Sequence, residues 1–262
     1  MKVALGQIAV GPEWQANLAT CRDFYARAAE ARADLLVLPE GIIARNSADP
    51  DYALKIAQPL DGPFVGGLLE ATRAAPVAVM MTVQVPTGTG KVFNTFVTLK
   101  EGRIVAAYRK LHLYDAFSGQ ESRNVVPGDE VPPLVEIAGF RIGTMTCYDL
   151  RFPELARRLA ADGADAFVLP AAWVKGPLKE RHWEVLAAAR ALENTCWMVA
   201  VGECGARDIG CSRVIDPLGV VTAGAGEGPA LVFAELDLAR VAHARKVLPA
   251  LANRRFATPQ LA

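Results

Sequence analysis

The chain has 262 residues, 52% of them hydrophobic, enough to bury the core of one large domain or two small ones. Lys plus Arg number 28 and Asp plus Glu number 28, a zero balance that argues against a nucleic-acid or anionic-membrane surface. No uninterrupted apolar run approaches the ~20 residues of a membrane span. The opening MKVALGQIAV reads as a strand and lacks the long apolar region of a signal peptide. The five cysteines, Cys21, Cys147, Cys196, Cys204 and Cys211, are odd in number and without C-x-x-C spacing. They argue against a disulfide framework and for a reducing cytoplasm. His112, His182 and His243 are scattered away from the cysteines, so no metal site is expected.

In chain order, apolar β-branched runs predict strands at 3–8, 35–39, 77–85, 92–99, 103–109, 141–146, 166–170, 197–203, 212–216 and 230–236. Amphipathic patterns predict helices at about 14–32, 63–75, 153–162, 178–195 and 238–246. Lys100-Glu101-Gly102-Arg103 reads as a hairpin turn. No linker or low-complexity stretch divides the chain, so residues 1–262 are read as a single domain. Helices interleaved with strands, plus some hairpins, predict an α/β architecture of helix layers packed on sheet. ARADLLVLPEG (31–41) and DGADAFVLPAA (162–172) echo one another, as two similar halves across a pseudo-twofold would, or as helix-to-strand junctions often do. The first copy carries Glu40 after its proline, the second Ala171.

Three strand ends carry chemistry. Cys147 follows the apolar run RIGTMT at a corner where Tyr148 onward is expected to open a helix. A helix N-terminus favours a thiolate and an oxyanion, although a lone cysteine in such a place also reads as a small core residue. Glu40 ends LLVLPEG; partial burial is expected to raise its pKa and suit it to take a thiol proton, the alternative being a solvated loop acid. Lys110 ends GRIVAAYRK, as a solvated terminus or as an ammonium aimed at developing negative charge. Together the three supply nucleophile, base and oxyanion stabiliser without histidine. The rival is a dyad of Cys147 with His112, for which the sequence assigns no orienting carboxylate.

LPEG around Glu40, YRKLHLYD around Lys110 and TCYDLRFPE around Cys147 resemble the motifs of the nitrilase superfamily of carbon–nitrogen hydrolases, in its order and spacing. The likeness runs from VALGQ to NRRF at 253–256. It implies a four-layer α-β-β-α sandwich that dimerises face to face, with a higher homo-oligomer as a further possibility, and no metal or organic cofactor. Nitrilases proper have Cys-Trp-Glu at the nucleophile, whereas Cys147-Tyr148-Asp149 is similar to the amidase branches. A chain this short has no room for the synthetase domain of glutamine-dependent NAD synthetases. KLHLYDAFSGQES, LPAAWVKGPLKERHW and AARALENTCWMVAVGEC resemble the Nit1-type branch, which hydrolyses deaminated glutathione to 2-oxoglutarate and cysteinylglycine in metabolite repair. The partner implied is thus a small-molecule amide.

By the same resemblance, Glu121 in GQES matches a second active-site glutamate, in a loop that Ser118-Gly119 is expected to make small and flexible. Tyr148 would lend a backbone N–H to the oxyanion hole. Arg151 matches the arginine with which related carbamoyl-amino-acid hydrolases grip a substrate carboxylate; an ion pair with Asp149 or Glu154 is the plain alternative. Trp173 is a pocket wall or core. An ω-amidase acting on 2-oxoglutaramate and an N-carbamoyl amino-acid hydrolase would use the same three groups. An inactive scaffold would be expected to lose one of them. LENTCWMV (192–199) and ARVAHARKVLPALANRRF (239–256) combine apolar residues with arginines and are the expected dimer contacts.

Overall fold

The computed structural model describes residues 1–117 and 119–262. In chain order it contains β1 (Lys2–Gln7), α1 (Trp14–Glu30), β2 (Leu35–Val37), α2 (Tyr52–Ile56), α3 (Pro63–Ala74), β3 (Ala78–Pro86), β4 (Val92–Lys100) and β5 (Arg103–Arg109). Then follow β6 (Val135–Ile137), β7 (Phe140–Thr144), α4 (Pro153–Ala161), β8 (Ala166–Ala171), α5 (Lys179–Asn194), β9 (Trp197–Gly202), β10 (Arg213–Ile215), β11 (Val221–Gly224), β12 (Ala230–Glu235) and α6 (Leu238–Val247). The elements missing from the sequence reading, α2, β6 and β11, have three to five residues each, too few to establish a period.

The strands form two six-stranded sheets, ordered β12-β1-β2-β3-β4-β5 and β11-β10-β9-β8-β7-β6. Each has a parallel centre, β1-β2-β3 and β7-β8-β9, extended by antiparallel pairs. The echoed segments occupy corresponding places: β2 lies inside one sheet and β8 inside the other.

Strand alternation produces the layers, because successive side chains leave a strand on opposite faces. Val3, Leu5, Leu35 and Val37 point between the sheets to meet Ala166, Val168, Val199 and Val201. Ala4, Leu36 and Leu38 point the other way, onto Phe24 and Ala28 of α1 and Phe64 and Leu68 of α3. Phe167, Leu169, Met198 and Ala200 turn outward beneath α4 and α5, against Leu155, Leu159, Trp183 and Ala187. The order is therefore α-β-β-α, as the family resemblance implied, and strands buried on both faces read as continuous apolar runs for that reason.

The predicted hairpin turn joins β4 to β5 with Glu101 and Gly102 both at positive φ, 52° and 71°. Two left-handed residues match the twist of the paired strands, and glycine takes the second at no steric cost.

Candidate active site

The parallel strands of both sheets deliver their ends to one cavity of about 450 Å3, lined by Glu40, Lys110, Glu121, Cys147, Tyr148, Arg151 and Trp173 among others. The three groups of the Glu-Lys-Cys reading and the four residues added by the resemblance therefore meet there.

Glu40 follows β2 and is buried. Its Oε1 accepts from the Lys110 ammonium at 2.9 Å and from Asn94 Nδ2 at 2.8 Å. Its Oε2 accepts from the Ala172 backbone N–H at 2.9 Å. That last donor comes from the end of the second echoed segment: one copy supplies the carboxylate and the other a backbone donor for it. Lys110 continues β5, its N–H donating to Asn94 O at 2.8 Å, and is only 2% exposed. Its ammonium also reaches Glu121 Oε2 at 2.8 Å. Glu121 opens a short 3-10 turn, where it accepts from the Tyr114 N–H at 2.7 Å and from Asn94 Nδ2 at 3.3 Å. Ser118, expected to loosen this loop, lies outside the described residues. Gly119 is packed on the Tyr114 ring so closely that a Cβ would collide with it.

Cys147 corrects one expectation. It opens not an α-helix but a five-residue 3-10 turn, Cys147–Arg151, with its own φ at 44°. The helix begins only at Pro153, because a residue before proline is driven out of the helical region and Phe152 is extended. A turn this short carries little of the macrodipole invoked for the thiolate. Burial instead pushes the Cys147 thiol well up, helped by the neighbouring Glu40 charge and only partly offset by Lys110. Glu40 departs from expectation in the opposite sense. Its burial favours the neutral acid, but Lys110 and the hydrogen bonds around it outweigh that and hold the carboxyl down to about 2. Burial also works against the Lys110 ammonium, and Glu121 with Glu40 more than offsets it, so Lys110 stays charged. The resting site is a protonated thiol facing an ionised carboxylate.

Asp149, two residues past Cys147, is fully buried and holds the turn in place. Its oxygens accept from Thr146 N at 2.9 Å, Tyr108 Oη at 3.0 Å, His112 N at 3.1 Å and His112 Nδ1 at 2.7 Å. The carboxylate that the sequence could not assign to His112 is thus Asp149. The imidazole stacks on Phe152 with centroids 3.7 Å apart and is not among the cavity-lining residues, which removes it as a base for Cys147. The alternative reading of Arg151 also falls. Among the described residues it pairs with neither Asp149 nor Glu154; its Nε and Nη2 are buried without a partner, and its Cζ lies 4.7 Å from the Trp173 ring centroid. Trp173 is both wall and core, its Nε1 donating to Lys179 O at 3.0 Å.

Sequence reasoning missed Asn94, Lys179 and a network behind Glu40. An asparagine within the strand run VFNTFVTL is the available signal for Asn94, since strands disfavour it. In the network, Arg45 Nε donates to Glu203 Oε2 at 2.7 Å and Arg45 Nη2 to the Glu40 carbonyl at 3.2 Å. Burial lifts the Glu203 carboxyl to about 8 despite the Arg45 charge, with Asp208 adding to the rise.

A buried thiol opposed to a carboxylate and an ammonium, under a cavity between two α/β layers, is the equipment of a hydrolase that attacks carbonyl-like carbon. The carbon-nitrogen hydrolase family profile matches residues 2–246, and the chain belongs to that family. It is 53% identical to the deaminated glutathione amidase of Escherichia coli O157:H7 over 261 residues, covering 100% of both chains. The crystal structure of the C. elegans NitFhit protein superposes with a TM-score of 0.90 at 29% identity, over 97% of this chain and 65% of that one. Saccharomyces cerevisiae Nit3, a member of branch 10 of the nitrilase superfamily, superposes with a TM-score of 0.85 at 29% identity, over 98% and 97% of the two chains.

Proposed function

We propose that the protein is a cytoplasmic thiol amidase that cleaves deaminated glutathione to 2-oxoglutarate and cysteinylglycine, a metabolite-repair reaction. The observation that carries this reading is the cavity itself, where Cys147, Glu40 and Lys110 share the lining with Arg151, a guanidinium that pairs with no carboxylate of the described residues. The E. coli relative, which bears that activity in its name, supports the substrate. A cavity of about 450 Å3 suits a ligand of this size. The cysteines are free, in keeping with a reducing compartment. No described helix is long and apolar enough to cross a membrane.

In this mechanism the thiol proton passes to Glu40 as sulfur attacks the amide carbonyl. Lys110 and the Tyr148 backbone N–H stabilise the new oxyanion, each well-placed donor contributing ~3–4 kcal/mol. The C–N bond breaks as Glu40 returns the proton to the leaving amine, and the acyl group remains as a thioester. Water then gives a proton to Glu40 and attacks the thioester carbon. The acid departs and the sulfur regains the proton. Glu121 holds Lys110 against Glu40 and positions that water. Arg151 receives the acyl carboxylate against Trp173, and no metal or organic cofactor is required.

Mass spectrometry of the quenched enzyme with deaminated glutathione should reveal a thioester on Cys147. Cys147→Ala and Cys147→Ser should turn over nothing above a blank, and measurable turnover by either ends the covalent mechanism. Arg151→Ala should lower kcat/KM about 30- to 1000-fold on carboxylate-bearing substrates and little on a neutral amide. Faster hydrolysis of 2-oxoglutaramate or of an N-carbamoyl amino acid by the wild type would reassign the substrate within the same chemistry.

The reading includes a homodimer. The expected contact segments need narrowing, because Cys196 to Val199 of the first are buried within the chain. Of the second, Val241 and Ala244 pack into the core and Arg245 donates to Ala164 O at 2.6 Å. Exposed apolar residues remain at Val185 and Leu192 on α5, and at Val247, Leu248 and Phe256. These support an interface between copies of the chain.

A further inference from the structure

Lys179 is the first residue of α5, yet it is only 5% exposed and lines the same cavity as Cys147. Its ammonium donates to Tyr114 Oη at 2.9 Å and lies 4.2 Å from the Phe117 ring centroid and 5.6 Å from that of Trp173. No carboxylate of the described residues stands within ion-pair distance of it. Arg151 approaches the same two rings, 4.7 Å from Trp173 and 5.8 Å from Phe117, and two of its nitrogens are buried without a partner among the described residues. The indole and the phenyl ring thus carry two cations and, among the described residues, no carboxylate paired with either.

Stability does not explain this arrangement. A buried cation without an anion is costly, and two near one another repel. A lysine in the first turn of a helix also opposes the macrodipole, which favours acids there. The residue before it, Leu178, takes a left-handed conformation, φ 59°, uncommon for a bulky side chain. Cation–π contacts and one phenolic hydroxyl offset only part of these costs.

We propose that Lys179 and Arg151 together form a seat for one carboxylate, the terminal carboxylate of the substrate's acyl chain, and that Lys179 is the specificity-determining half, a residue to which the sequence reading assigned no role. The inference rests on the cavity being the reaction site. The acyl end is assigned because the leaving amine must depart to solvent, whereas the acyl group stays on Cys147 through both half-reactions. The exposed cavity-lining arginines, Arg123 and Arg207, mark the open side, and Lys179 lies buried.

The test compares two amides: the N-methyl amide of the distal carboxyl of 2-oxoglutarate, and N-methyl levulinamide, the same chain with a methyl group in place of the carboxylate. Wild type should prefer the acidic amide. In Lys179→Met the ratio of the two kcat/KM values should fall about 10- to 100-fold, as expected for loss of a charge-assisted contact. Lys179→Arg, which keeps a cation on the rings, should retain most of the preference, and this variant also guards against a misfolded methionine variant. An unchanged ratio in Lys179→Met, or equal loss on both amides, overturns the seat, as does a wild type that prefers the neutral amide. If wild type forms no Cys147 thioester with either amide, the proposed amidase mechanism fails instead, and binding of 2-oxoglutarate to wild type and Lys179→Met by calorimetry still decides the seat: equal affinity refutes it.

Discussion

The charge states around Cys147 set what each residue can do. Glu40 has its folded pKa lowered from 4.5 to about 2, so its ionised form contributes stability that is present above pH 4.5 and lost as pH falls through about 2. Its ionisation therefore does not limit turnover at mildly acidic pH. The profile of kcat/KM should show no Glu40 inflection between pH 5 and 7, and a group titrating there with loss of activity would have to lie elsewhere. Glu40→Gln keeps the volume and loses the base, and should lower kcat about 10²- to 10⁴-fold while remaining folded. Lys110 is the common partner of two carboxylates, at 2.9 and 2.8 Å. Lys110→Arg should lose activity despite keeping the charge, because a planar guanidinium cannot take the ammonium's place between them. Lys110→Met leaves both carboxylates uncompensated and should cost about 3–5 kcal/mol of stability, read from urea unfolding. Wild-type rates in Lys110→Arg would make the lysine a charge without a directed role.

At the scale of the element, the decisive piece is the 3-10 turn from Cys147 to Arg151. Tyr108 and His112 flank Lys110 by two residues on either side, and both bond to Asp149, two residues past Cys147. One carboxylate thereby sets the end of β5 in one sheet against the turn that follows β7 in the other. Asp149→Asn replaces an acceptor with a donor among groups that themselves donate, leaving buried partners unsatisfied. It should lower stability by about 2–4 kcal/mol and reduce kcat more than it raises KM, since it misplaces the nucleophile rather than the binding wall. A variant with wild-type kcat would show that the turn holds its shape without Asp149. The same element explains where sequence reading fell short. TCYDLRFPE looks like a helix start, and the proline inside it is compatible with one, but Pro153 opens the helix itself and leaves Cys147 on a separate turn.

For the whole molecule, the two sheets use up the apolar faces of α1, α3, α4 and most of α5, yet Leu192 remains 41% exposed and Phe256 88% exposed. Light scattering at micromolar concentration should give a dimer mass, and Leu192→Asp should shift the protein toward monomer with little loss of intrinsic stability. A monomeric wild type would contradict the proposed assembly.

Much of this architecture was legible in local pattern. Apolar alternation and continuous runs revealed the strands, helical periodicity the covering layers, and the three motifs the positions of Glu40, Lys110 and Cys147, because each depends on residues a few places apart. The charge states and the finer site depended on tertiary structure. Asn94 and Lys110 reach Glu40 across 54 and 70 residues of chain, and the Ala172 N–H across 132. Lys179 in the sequence is an ordinary helix-start lysine; the fold alone buries it against the Trp173 ring that Arg151 also approaches. A local pattern reports which face of an element is apolar, whereas a pKa or an unpaired cation depends on the field of groups that only folding brings together.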